Sequence, residues 1–75
     1  MNDILKAVVE QEFNEQHAYL VRLEKLLEQT KVAILGEEPE MRYELEVVKS
    51  RTEDKIIDIK IELKKLAQTY KQATA

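Results

Sequence analysis

The chain carries one imidazole, His17, in the stretch Glu12-Phe13-Asn14-Glu15-Gln16-His17, and it has no cysteine. An imidazole among carboxylates can ligate a metal or relay a proton. Helical bundles that hold paired metal ions use Glu-x-x-His on two helices together with further glutamates. Here the residue three before His17 is Asn14, and the second half of the chain has no histidine. His17 therefore reads as a boundary residue on a solvated helix flank. No Gly-rich phosphate loop, nucleophile elbow or Cys/His cluster is present either, because the chain has a single glycine, Gly36. We expect no catalytic site, no metal and no cofactor: the protein is not expected to be an enzyme.

The remaining charge is patterned in two places. Lys55, Lys60, Lys64, Lys65 and Lys71 make a basic stretch near the C-terminus, but Asp54, Asp58 and Glu62 are interleaved with it. With net charge −3 and only Phe13, Tyr19, Tyr43 and Tyr70 as aromatics, there is neither a phosphate-tracking stripe nor a stacking platform. Nucleic acid is not an expected partner. The lysines instead complement the negative end of a helix dipole. In the middle of the chain Glu37, Glu38, Glu40, Glu44 and Glu46 face Arg42 alone, which makes an acidic tip. Acids there favour a helix start; Glu37, Glu38 and Glu40 are also candidates for recognition by a basic partner.

The elements that carry these groups follow from two residues. Gly36 and Pro39 are the only glycine and proline of a 75-residue chain, and they lie three apart at its midpoint. Glycine after an apolar run is a usual helix stop, and proline is tolerated in the first turn of the next helix. The spacing predicts a first helix over about 3–35, a turn at 36–38 and a second helix over about 39–72, antiparallel to the first. Asn2 or Asp3 can cap the first helix.

Along the first arm Leu5, Val9, Phe13, Gln16, Leu20, Leu23, Leu27, Thr30 and Ile34 recur at alternating spacings of three and four, a coiled-coil seam. Along the second, Met41, Leu45, Val48, Thr52, Ile56, Ile59, Leu63, Leu66, Tyr70 and Ala73 do the same, with a stutter of two fours around Thr52. Folding at the turn pairs positions whose numbers sum to about 75, so Leu27 is expected to meet Val48 and Leu5 to meet Tyr70. Gln16, Thr30 and Thr52 are expected to fix register at some cost in stability. Lys6 with Glu10, Arg42 with Glu46 and Lys49 with Glu53 are candidate i,i+4 ion pairs. The fold class is all-α: a two-helix antiparallel coiled-coil hairpin of one domain, residues 1–75, expected to complete a four-helix bundle by self-association or with a partner.

Both arms carry apolar residues beyond their seams. Val8, Tyr19, Leu26 and Ala33 widen the first seam on one side. Tyr43, Val47, Ile57 and Ile61 lie roughly opposite the second seam, where water would meet them in a lone hairpin. Scattered surface apolar residues are also common in any protein. Tyr43, Val47, Ile57, Ile61, Tyr19 and Leu26 are the candidate partner-binding residues, for a helical protein, a second copy, or both. No apolar run exceeds the four of Val32 to Leu35, so no membrane span is expected. Met1 to Ile4 lack the basic start and apolar block of a signal peptide, and the absence of cysteine fits a reducing compartment, so a cytoplasmic location is expected.

This layout of two arms, a polar turn over Gly36 to Pro39 and an apolar face for a partner resembles a known family. It is similar to the small helical-hairpin co-chaperones that help hold needle subunits soluble in bacterial type III secretion. The resemblance spans nearly the whole chain as architecture, and no functional residue is carried over with it. It implies a non-enzymatic, cytoplasmic chaperone or adaptor that contributes two helices to a bundle with a partner chaperone. The alternative is a small phage or bacterial regulator that masks a surface of an enzyme or transcription factor, with the acidic tip as its working surface.

Overall fold

The computed structural model describes residues 2–74. It consists of α1, Asn2–Gly36, and α2, Pro39–Thr74, folded back on each other. Neither helix contains an internal proline or glycine, and both are rich in Leu, Glu, Lys and Gln, which lose little rotamer freedom in a helix. Asp3 sits in the first turn of α1, while the side chain of the alternative cap, Asn2, lies outside the described residues.

The turn is shorter than expected. Among the described residues only Glu37 and Glu38 lie outside the helices, and Gly36 is the last residue of α1. Gly36 does not take the left-handed conformation in which glycine usually ends a helix. A methyl group built on it would touch nothing within 4 Å. The break comes instead from Pro39, which takes the first helical position, disfavours the helical conformation in the residue before it, and so stops α1 from running on. The amide of Arg42 donates to the Glu38 carbonyl at 2.9 Å, the first bond of α2, and Arg42 Nε donates to the Glu37 carbonyl at 3.2 Å.

The two arms make a slender ribbon of 57 × 14 × 12 Å. Its radius of gyration is 17.0 Å, against about 11 Å for a compact domain of this length. The core sits at mid-length, where Leu20 and Leu23 of α1 meet Ile56 and Ile59 of α2, flanked by Leu27 and Leu63. Leu20 with Ile56 sums to 76, and Leu20 with Ile59 and Leu23 with Ile56 each sum to 79, close to the register expected for a fold at the turn. Burying a side chain of this kind contributes ~1.5–3 kcal/mol. Yet among the described residues no large side chain is fully enclosed: the core residues each keep 6–8% of their surface in contact with water.

Three seam positions depart from expectation. Leu5 is 47% exposed and Met41 is 52% exposed. Both lie toward the ends of their arms, where fewer layers of the opposite helix cover them. Beside the expected Leu5–Tyr70 layer, the Lys6 ammonium lies 5.6 Å from the centroid of the Tyr70 ring. Val48 is 40% exposed because the four-four spacing through Thr52 rotates it out of the seam.

The seam polars do not join the arms. The hydroxyls of Thr30 and Thr52 are buried and donate at 2.8 Å to the carbonyls of Leu26 and Val48, four residues back in their own helices. Gln16 donates to Glu12 of the same helix at 3.1 Å. Register is therefore carried by the shape of the apolar layers, not by these groups. The expected ion pairs are replaced as well. Lys49 turns back to Glu46, and Lys31–Glu28 and Lys65–Glu62 have the same i,i+3 form, each at 3.8 Å. In all three the acid precedes the base, the orientation the helix favours, whereas the expected pairs had the base first.

Candidate partner-binding surface

Every expected partner-binding residue but one is exposed. On α2, Tyr43 is 73% exposed, Ile57 56% and Ile61 48%, while Val47 is half-buried. On α1, Tyr19 and Leu26 are exposed beside Val8. The guanidinium of Arg22 lies 5.8 Å from the centre of the Tyr19 ring, one turn along the same flank.

Helical geometry divides these six into two surfaces. At about 100° per residue, Tyr43, Val47, Ile57 and Ile61 stand about half a turn round α2 from its buried residues. They lie along the outer edge of the ribbon. Val8, Tyr19 and Leu26 stand only about a quarter turn from the buried residues of α1, so they face one broad side. On α2 the residues facing that same side include Val48, Arg51, Lys55, Asp58 and Glu62. Tyr43, Val47, Val48 and Arg51 line a shallow depression of about 290 Å³ where edge and broad side meet.

The opposite broad side holds a feature that sequence reasoning did not single out. Between the arms near their open end lies an apolar groove of about 320 Å³, lined by Val9, Phe13, Leu66, Ala67 and Tyr70, with Glu10 and Lys71 at its margin. Its residues are all seam or near-seam residues. The signal was present as the half-burial of Phe13, Leu66, Ala67 and Tyr70, which no one-helix pattern reveals. Nearby, His17 is exposed with its ring parallel to that of Phe13, centroids 6.3 Å apart. Ile4, Val21, Val32 and Leu35 are also exposed on α1 and were not picked out as partner-binding.

At the turn, Glu37, Glu38 and Glu40 are all exposed. No group of three or more acidic, histidine or cysteine side chains among the described residues is placed to hold a metal ion. No helix among them is long and apolar enough to cross a membrane. Comparison with protein-family models, with curated proteins and with solved structures found no match. The described residues present three surfaces: an apolar outer edge on α2, a mixed apolar and charged broad side, and an acidic tip.

Proposed function

We propose that this chain is a non-enzymatic interaction module, a small cytoplasmic chaperone or adaptor that lends two helices to a bundle with a helical protein partner. The type III secretion co-chaperones it resembles in layout are the model for that role. The supporting observation is the outer edge of α2, where Ile57 and Ile61, one turn apart, remain about half exposed and Tyr43 more so. Apolar side chains repeating along one edge suit the face of another amphipathic helix better than they suit water. A core without a fully enclosed large side chain among the described residues points the same way, since a chain of this size gains little from one seam.

A pulldown from the source cell tests this reading, with wild type and Ile57→Lys/Ile61→Lys as paired baits. A helical protein retained by wild type and lost from the double variant is expected. Identical sets retained by both, with both baits equally helical, would refute it.

The acidic tip supports a second reading, a regulator that masks a basic surface. The Arg42 guanidinium is directed to the Glu37 backbone carbonyl, so the neighbouring carboxylates keep their charge exposed. Reversal of Glu37, Glu38 and Glu40 to lysine would then abolish binding while leaving helicity intact. Unchanged binding would dismiss it.

A further inference from the structure

We propose that the Tyr19 side of the ribbon is a self-association surface, on which a second copy lies antiparallel about a two-fold axis crossing the middle of the rod. This rests on the interaction-module reading and names one of its partners.

Area makes the first case. The hairpin exposes 5995 Å², where a compact monomer of this mass would expose about 4,800 Å². Two separate hairpins thus expose about 12,000 Å², and one compact body of their combined mass about 7,900 Å². A slender bundle recovers only part of that difference, yet half of it, about 2,000 Å², is what stable homodimers bury. Both broad sides and the edge are open, so area alone does not choose among them.

Charge chooses. On the Tyr19 side the order along α1 is Glu12, Glu15, Tyr19, Arg22, and along α2 it is Arg51, Lys55, Asp58, Glu62. Glu15 and Arg22 have opposite signs about a midpoint between Ala18 and Tyr19, and the α2 series changes sign about a midpoint between Ile56 and Ile57. These two centres are at the same height, because arms paired at sums of about 75 place residue 19 beside residue 56. A two-fold axis through that height, perpendicular to the rod, lays α1 on α1 and α2 on α2 in opposite directions. Glu15 then faces Arg22 of the second copy, Lys55 faces its Asp58 and Arg51 faces its Glu62, each twice by symmetry. Tyr19 meets its own counterpart at the centre. Within one hairpin Arg51, Lys55 and Asp58 have no ion pair among the described residues, whereas Glu62 already has Lys65.

The parallel alternative, with both turns at one end, fails on the same residues. It sets Glu12 and Glu15 of one copy against Asp58 and Glu62 of the other, acid against acid. Exposed pairs each contribute little to affinity but select orientation, because like charges in register are penalised. In the antiparallel arrangement the edges of the two copies also align, so that Ile57 and Ile61 of both form one continuous strip at mid-length. Self-association and partner binding then use different faces.

Distance measurement between spin labels decides the matter, and the lack of native cysteine makes single labels clean. Ala18 at mid-rod and Glu38 at the turn are both exposed and lie away from the proposed contact. Labels on Ala18→Cys are expected within about 25 Å of each other, given helices packed 8–10 Å apart. Labels on Glu38→Cys should be separated by about the 57 Å length of the rod. Short distances at both sites would overturn the antiparallel arrangement, and absence of dipolar coupling at hundreds of micromolar would overturn self-association. Glu15→Arg alone should weaken the dimer at least tenfold, and Glu15→Arg with Arg22→Glu should restore it, helicity being equal throughout. Failure of the double swap to restore it would reject this pairing. The Ile57→Lys/Ile61→Lys variant should remain dimeric, so loss of partner capture there is distinguishable from loss of the dimer.

Discussion

Two stripes of α1 have nearly the same chemistry and opposite fates. Val9, Leu20 and Leu23 are 6–8% exposed, whereas Val8, Tyr19 and Leu26, about a quarter turn away, are 38–58% exposed. The residue types do not distinguish them, and neither does helix propensity. The difference is phase: one stripe points at α2, and the other points at a broad side that a single hairpin has nothing to cover. The outer edge of α2 repeats the lesson with Ile57 and Ile61 against Ile56 and Ile59. Neighbouring isoleucines there differ by about half of their surface according to which way the helix turns them. A two-helix hairpin has one covered stripe per arm, and this sequence supplies more.

The contrast is open to attack by substitution, beginning in the seam. Leu23→Ala should destabilise the fold by about 2–5 kcal/mol, the range for buried leucines, and thermal unfolding followed by circular dichroism should show it. A cost comparable to that of an exposed position would mean the seam is not the core. Thr52→Val comes next. Removing the hydroxyl leaves the Val48 carbonyl still bonded to the residue 52 amide, so the change should be neutral or stabilising by about 1 kcal/mol, with register intact. A large loss would restore Thr52 to a register-fixing role.

Gly36→Ala should stabilise the hairpin by about 0.4–1 kcal/mol, since the glycine uses no left-handed conformation and the added methyl has open space. Destabilisation would show that the turn needs glycine in solution. The smallest effect is expected at the edge, where Ile57→Lys should shift stability by no more than about 0.5 kcal/mol, measured as the denaturant midpoint. A loss like that of Leu23→Ala would place Ile57 in a core.

Much of the architecture was legible in the chain itself. The pairing of Gly36 with Pro39 located the turn, and the three-four spacing named most of the buried residues, because burial in a hairpin follows helical phase. What misled was reading each signal alone. α1 does end at Gly36, but without the left-handed conformation through which glycine usually stops a helix, so Pro39 carries the break. Spacing alone allows Lys49 either Glu53 or Glu46, and only orientation along the helix favours Glu46. Leu5, Met41 and Val48 fit the repeat but lie near the ends or at the stutter, where the opposite arm covers them poorly. The candidate surface was named residue by residue, yet its division into an edge and a broad side was invisible. That division depends on how two right-handed helices running in opposite directions present their flanks, which neither arm encodes by itself.

If one hairpin is half of an assembly, its unfolding depends on protein concentration. Thermal midpoints would be recorded over a hundredfold range of protein concentration, with mass measured by light scattering at each end. A midpoint that climbs with concentration is expected, with a mass twice the 8.8 kDa of the chain at the upper end. A midpoint that stays fixed, with the mass of a single chain throughout, would contradict it.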